Sequence, residues 1–335
     1  MRILLTILLT TYAVSFTVTR GIPYQAFIAT TTDRNVCPTC FGMLQDGKPT
    51  GDFMDRAAPP ISAEAKREME ARLNEARQRY NANPNDPEAI IWLGRRLAYP
   101  GRFREAIQTF GEGIRKFPRD ARFYRHRGHR YITVRQFDLA INDFKKAAAL
   151  TKGNPDEVEP DGQPNARNIP TGTLQFNIWY HLGMAQYLTG KNKNALDSYR
   201  ECLKVSKNPD ALVATTHWPY MTLRRLNRLS EAAKTLEPIN AKMEIIENAG
   251  YHRLLLMYKG IISPESLEQE ALKEEGSPGS YSILYGVGNW YLYNGRRAEA
   301  QTLFQRMLQG NQWTSFGYIA AEAEMEPTKS KLRTK

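Results

Sequence analysis

The sequence predicts an all-α protein, a solenoid of five to six helix–turn–helix repeats. Three observations carry that prediction. Residues recur at one spacing: Gly94 and Gly128, Phe103 and Phe137, Ala106 and Ala140, Ile107 and Ile141, and Phe110 and Phe144 are each 34 residues apart. Apolar residues fall at helical intervals, as in Met69, Leu73, Ala76 and Tyr80, separated by four, three and four. Pro and Gly stand between the periodic stretches, at Asn83-Pro84, Gly101, Pro118 and Gly190. A repeat of that length is one pair of helices, which buries its apolar side only against the next pair.

Composition agrees with a folded chain. Of 335 residues 41% are hydrophobic and 24% charged, which excludes the low-hydropathy disordered class. The formal net charge is +11. Such an excess favours an acidic partner: an acidic peptide, an anionic lipid surface, another polyanion or nucleic acid.

Residues 1–20 stand apart. Arg2 is followed by an uncharged, mostly apolar run from Ile3 to Val18. The run is short for a membrane span and fits a secretory leader. Ala13-Val14-Ser15 places small residues where a signal peptidase reads, giving cleavage after Ser15. An uncleaved signal anchor is the other reading, and it would tether the chain to a membrane. Either way the protein is expected outside the cytoplasm: periplasmic, secreted or anchored facing outward. No Cys follows the apolar run, so no lipoprotein is expected.

Residues 21–60 lack a helical period and end in Ala57-Ala58-Pro59-Pro60. They read as a linker. The linker holds Cys37-Pro-Thr-Cys40, while the third cysteine is Cys202. A zinc site needs about four ligands, and no second pair exists. A c-type haem site would need His where Phe41 stands. Cys37 and Cys40 are read either as a local disulfide or exposed pair, or as a redox or metal pair. Cys202 falls on a helix core position.

The array occupies 61–324. Ser62 is a good N-cap for a first helix, which Asn83-Pro84 ends. Repeat one follows, with Gly94, Phe103, Ala106 and Phe110, and Pro118 stops its second helix. Repeat two contains Gly128, Phe137, Ala140 and Phe144. Repeat three runs from Phe176 to Pro209, with Gly183, Ala195 and Tyr199. It arrives 21 residues late, and the surplus, Pro155 to Gln175, reads as a surface loop. Repeat four spans about Val213 to Ile246. Repeat five fits about Glu247 to Ser280, though Ser266 replaces the expected Ala. Repeat six starts at Tyr281, with Gly288, Ala300 and Phe304. A last helix, about Trp313 to Glu324, should cap the array, and 325–335 is a basic tail. In each clear repeat the Gly of the first helix and the Ala of the second let the two approach, while large residues fill the space between them.

In Ile91-Trp92-Leu93-Gly94, Gly101-Arg102-Phe103, Glu105-Ala106-Ile107 and Phe110, and again in Arg127-Gly128, Tyr131, Phe137, Ala140 and Phe144, the chain resembles the tetratricopeptide repeat (TPR) family. The resemblance implies a right-handed superhelix whose concave groove is lined by the first helix of each repeat. It places Arg95, Arg122, Arg125, His129, Tyr180, Tyr187, His217, Arg224, Arg225, Tyr251 and Tyr285 on that groove. Arg and His prevail in repeats one, two and four, and Tyr from repeat three onward. Arg forks suit carboxylates, and Tyr suits extended peptides. The expected partner is an extended or helical peptide with its acidic part near repeats one and two. The competing reading makes these arginines the solvated side of their helices. Some family members bind chaperone tails through a Lys and Asn clamp. Here Arg95 and His129 stand where that clamp has Asn, which puts the activity in doubt.

No phosphate loop, nucleophile elbow or H-E-x-x-H pair occurs. The histidines are His126, His129, His181, His217 and His252. Only the first two share a helix at metal spacing, and arginines surround them. The expectation is a scaffold with no catalysis, metal, cofactor or small-molecule substrate. Nucleic acid is an unlikely partner for an exported chain. The alternative function is a basic face that holds an anionic polymer, lipid head group or nucleic acid. One segment, Thr215 to Met221, departs from the pattern. Pro219 should kink its helix or delay its start, so Trp218 either lines a local pocket or packs inside a worn repeat.

Overall fold

A computed structural model describes residues 53–274 and 276–326. The signal or anchor at 1–20, the Cys37–Cys40 pair with most of the linker, and residues 327–335 of the tail lie outside the described residues. Helix α1 (Ala63–Ala82) precedes six pairs. These are α2 (Pro87–Ala98) with α3 (Phe103–Lys116), α4 (Ala121–Thr133) with α5 (Phe137–Thr151), and α6 (Leu174–Leu188) with α7 (Asn192–Val205). Then come α8 (Pro209–Arg225) with α9 (Leu229–Thr235), α10 (Ala249–Tyr258) with α11 (Pro264–Lys273), and α12 (Pro278–Tyr293) with α13 (Arg297–Gln309). Helix α14 (Phe316–Met325) ends the described chain. The fold is an all-α helical repeat.

Local chemistry sets the helix starts. Ser62, Asp86, Asp120, Thr173, Asn208, Ser277 and Ser315 each accept a backbone N–H of the first turn through a side-chain oxygen. Pairing within a repeat depends on the recurring glycine. A Cβ at Gly94 would stand 2.5 Å from Phe110, at Gly183 2.4 Å from Tyr199, and at Gly288 2.5 Å from Phe304. The absent side chain is the space into which the partner helix's aromatic ring fits.

Three places break the regular array. The insert between α5 and α6 folds back on itself: Val158 and Thr173 form an isolated bridge, and the Leu174 amide donates to the Glu157 carbonyl. The second helix of repeat four is cut to seven residues at α9, because Pro238 forbids its continuation. The irregular stretch that follows is held by Asp210, whose buried carboxylate accepts the Ile246, Glu247 and Asn248 amides at 2.9, 2.8 and 2.8 Å. Finally, α8 runs through Pro219 and starts on time at Pro209. Trp218 is buried and donates its Nε1–H to the Tyr180 hydroxyl at 2.8 Å. Of the two readings of this segment, inward packing is the one observed.

The end of the array returns to its beginning. Helix α14 packs on α12 and α13, while the ring of Phe316 lies 5.4 Å from His129 and 5.5 Å from His181. Arg135, between α4 and α5, binds Glu322 at 2.7 Å and the Trp313 carbonyl at 2.8 Å. Trp313 in turn donates to the Ala57 carbonyl at 2.9 Å and packs on Phe53 and Phe103. No described helix is long and apolar enough to cross a membrane.

Candidate interaction groove

The groove residues named from the sequence fall into two sets, and the structure treats them differently. Tyr180, Tyr187, His217, Arg225, Tyr251 and Tyr285, with Arg224 at their edge, meet one another across α6, α8, α10 and α12. The Tyr180 hydroxyl accepts from Trp218 and donates to Tyr251 at 3.1 Å. Tyr187 and Tyr285 share a hydrogen bond of 2.9 Å. His217 stacks on Tyr258 and lies 4.9 Å from Tyr251. Arg225 binds Asn289 at 2.9 and 3.0 Å and Glu324 of α14 at 2.7 Å. Arg224 lies over Tyr293 and donates to Asn294. In this half the concave side is occupied by its own side chains and by α14.

The other half holds Arg95, Arg122, Arg125 and His129, and it faces the insert. Arg125 is buried and binds Glu159 of the insert at 2.8 Å. Arg95 and Arg96 donate to the Pro160 and Gly162 carbonyls, each at 2.8 Å, with Arg95 stacked 4.4 Å over Trp92. Arg122 is held by Asp120 and Glu88. His129 lies 4.6 Å from His181. An acidic segment of the chain itself thus occupies the basic end of the groove.

Three cavities border the Arg125–Glu159 pair or its Glu159 side. A cavity of about 320 Å³ borders it together with Asp161, Asn177, Tyr180, Tyr251 and Phe316. One of about 200 Å³ adjoins it on the Arg122, Trp92 and Glu157 side. A third, of about 120 Å³, is lined by Arg95, Tyr99, Arg125, His126, His129 and Arg130 as well as Glu159. Electrostatics here is governed by burial. Burial and the neighbouring Arg125 hold His126 well below its ordinary range. Burial and Arg130 do the same to His129. Both rings are therefore neutral at pH 7. His126 Nδ1 lies 3.1 Å from Arg125 Nη1; since Arg only donates, Nδ1 accepts and the proton sits on Nε2. Burial, with Glu247 and Glu159 nearby, pushes the Asp161 carboxyl up. Among the described residues no group of three His, Cys, Asp or Glu is placed to hold a metal.

Sequence reasoning missed Glu159 and Asp161, because a Pro/Asp/Glu/Gly loop carries no signal of where it packs. It also missed Glu322 and Glu324, which fold back onto Arg135 and Arg225. Arg130 is absent from the groove residues named from the sequence because it lies outside the groove register of its repeat.

The family model described as a tetratricopeptide repeat matches residues 176–209, the third helix pair. No curated protein matches the chain. Among solved structures, MamA is 15% identical, covers 52% of this chain and 91% of its own, and has a TM-score of 0.40. YrrB, described as a TPR protein with an unusual peptide-binding site, is 15% identical, covers 74% of this chain and 97% of its own, and has a TM-score of 0.39.

Proposed function

We propose that this helical-repeat chain, whose residues 176–209 match the tetratricopeptide repeat model, is a protein-interaction scaffold, exported and without chemistry of its own, whose partner presents an acidic segment to the α2–α4 wall. One observation carries this reading: Glu159 of the insert already sits against Arg125 as such a segment would. Guanidinium forks pair with carboxylates in two dimensions, and Arg95 and Arg96 spend their donors on insert carbonyls that a partner's backbone could replace. The tyrosine half then serves as a rigid floor. Export rests on the apolar run from Ile3 to Val18 alone.

The test is fluorescence anisotropy with a labelled oligoglutamate peptide and an oligolysine control. Glu159→Gln removes the internal competitor and is expected to tighten oligoglutamate binding roughly tenfold, the worth of one charged hydrogen bond. An Arg95→Gln, Arg122→Gln variant should weaken it by a similar factor. Equal affinities across the three proteins, or equal binding of oligolysine, would overturn the proposal.

A further inference from the structure

The smallest of the three cavities has a charge imbalance that the scaffold reading does not use. Its walls bring the guanidinium groups of Arg95, Arg125 and Arg130 together with one carboxylate, Glu159. Arg95 and Arg130 form no ion pair among the described residues; Arg95 has the Pro160 carbonyl and the Trp92 ring, and Arg130 lies 5.9 Å over the Phe103 ring. Arg125 is only 7% exposed, and its Nε finds no hydrogen-bond partner. His126 and His129 are neutral and add no charge, while the Nε2–H of His126 is a further donor. Tyr99 supplies a hydroxyl. Burying cations without counter-charge is costly, and burial with its cationic neighbours drags the Arg130 guanidinium down to about 10. It is still a cation at pH 7. The volume of about 120 Å³ far exceeds the roughly 10–15 Å³ that one ordered water needs.

We propose that this cavity, between Arg95, Tyr99, Arg125, His126, His129 and Arg130, is a binding site for a small doubly charged oxyanion of the phosphate type. Two negative charges balance the two unopposed guanidinium groups. Four tetrahedral oxygens match donors that converge from α2 and α4, and Arg forks and imidazole N–H groups are the donors such oxygens take. The ligand is either a free ion or the phosphoryl end of a larger molecule. The site shares Arg95, Arg125 and Glu159 with the acidic-peptide wall and adds Arg130, which takes no part in that wall, so Arg130→Gln separates the two readings.

Isothermal titration calorimetry on the full chain tests it, with inorganic phosphate and, in a second arm, phosphoserine, both at ionic strength matched with chloride. Wild type should bind one phosphate. Arg130→Gln should weaken binding about tenfold or more, the loss of one charge-assisted contact, whereas Arg115→Gln, an exposed arginine, should leave it unchanged. Glu159→Gln removes the opposing carboxylate and should tighten binding. A thermal melt without phosphate shows whether Arg130→Gln folds; it is expected to melt no lower than wild type, because it removes an uncompensated cation. Phosphoserine binding at least as tightly as phosphate would assign the site to a phosphoryl end, and phosphate binding alone would assign it to the free ion. No heat in wild type at millimolar phosphate, equal heats in Arg130→Gln and Arg115→Gln, or weaker binding by Glu159→Gln would each overturn the proposal.

Discussion

Acid should loosen this protein through two buried imidazoles. His181 is 5% exposed and His217 1%. Burial, followed by the charge of Arg125, pulls His181 from 6.5 down to about 3, and burial alone does the same to His217. In the unfolded chain both protonate near 6.5. Between those values the unfolded state binds more protons than the fold, so stability rises with pH up to about 6.5 and is flat above it. At pH 5 the gap of about 1.5 pH units, at about 1.36 kcal/mol each, costs the fold roughly 2 kcal/mol per histidine and roughly 4 for the two. That is a large part of the ~5–15 kcal/mol that holds a domain together. His126 and His129 are depressed as well and act in the same direction. The assay is urea unfolding at pH 7, 6 and 5, for wild type and a His181→Asn, His217→Phe variant. Carboxylates titrate alike in both proteins, so they cancel in the difference. The variant should lose roughly 4 kcal/mol less than wild type between pH 7 and 5, with unchanged m. Parallel stability curves would refute the reasoning.

Other perturbations follow from the packing. Gly183→Ala sets a methyl 2.4 Å from the Tyr199 ring and should cost about 1–3 kcal/mol by overpacking, read as a fall in Tm. Tyr199→Phe should do the opposite: its hydroxyl is buried with no hydrogen-bond partner, so its removal is expected to raise urea stability by about 1 kcal/mol. Arg225→Ala takes the guanidinium from Glu324, which is 5% exposed, and should cost about 3–5 kcal/mol in chemical denaturation. Adding Glu324→Ala should then recover part of that loss, because the two side chains couple.

What could be read in the sequence was what repeats. The 34-residue spacing placed Gly94 and Gly128 on first helices and Phe110 and Phe144 on second ones, the same 16-residue interval from glycine to ring placed Gly183 with Tyr199 and Gly288 with Phe304, and the close approaches at those pairs are the observed contacts. Short-range chemistry was legible too, as at the Ser62 cap. The course of the groove was not. A single period says which side of a helix faces the concave surface, but not how tightly the array winds. Repeat four carries a seven-residue α9 and an Asp210 that collects three amides, departures that no period announces. The tyrosines from α6 onward bury one another, a global outcome with no local signature. Of the two effects expected of Pro219, the delayed start is absent, because α8 begins at Pro209 and runs through the proline around a buried Trp218.

The return of α14 to α4 alters how the molecule comes apart. An open solenoid behaves as a zipper: each unit leans only on its neighbours, and its ends fray first. In this chain the terminal units are fastened together through Arg135, Glu322, Trp313 and Ala57. Fraying from either end must undo that fastening, so the first and last helices share the protection of the middle. A string of near-independent units becomes a necklace that opens at its clasp before it can shed a bead.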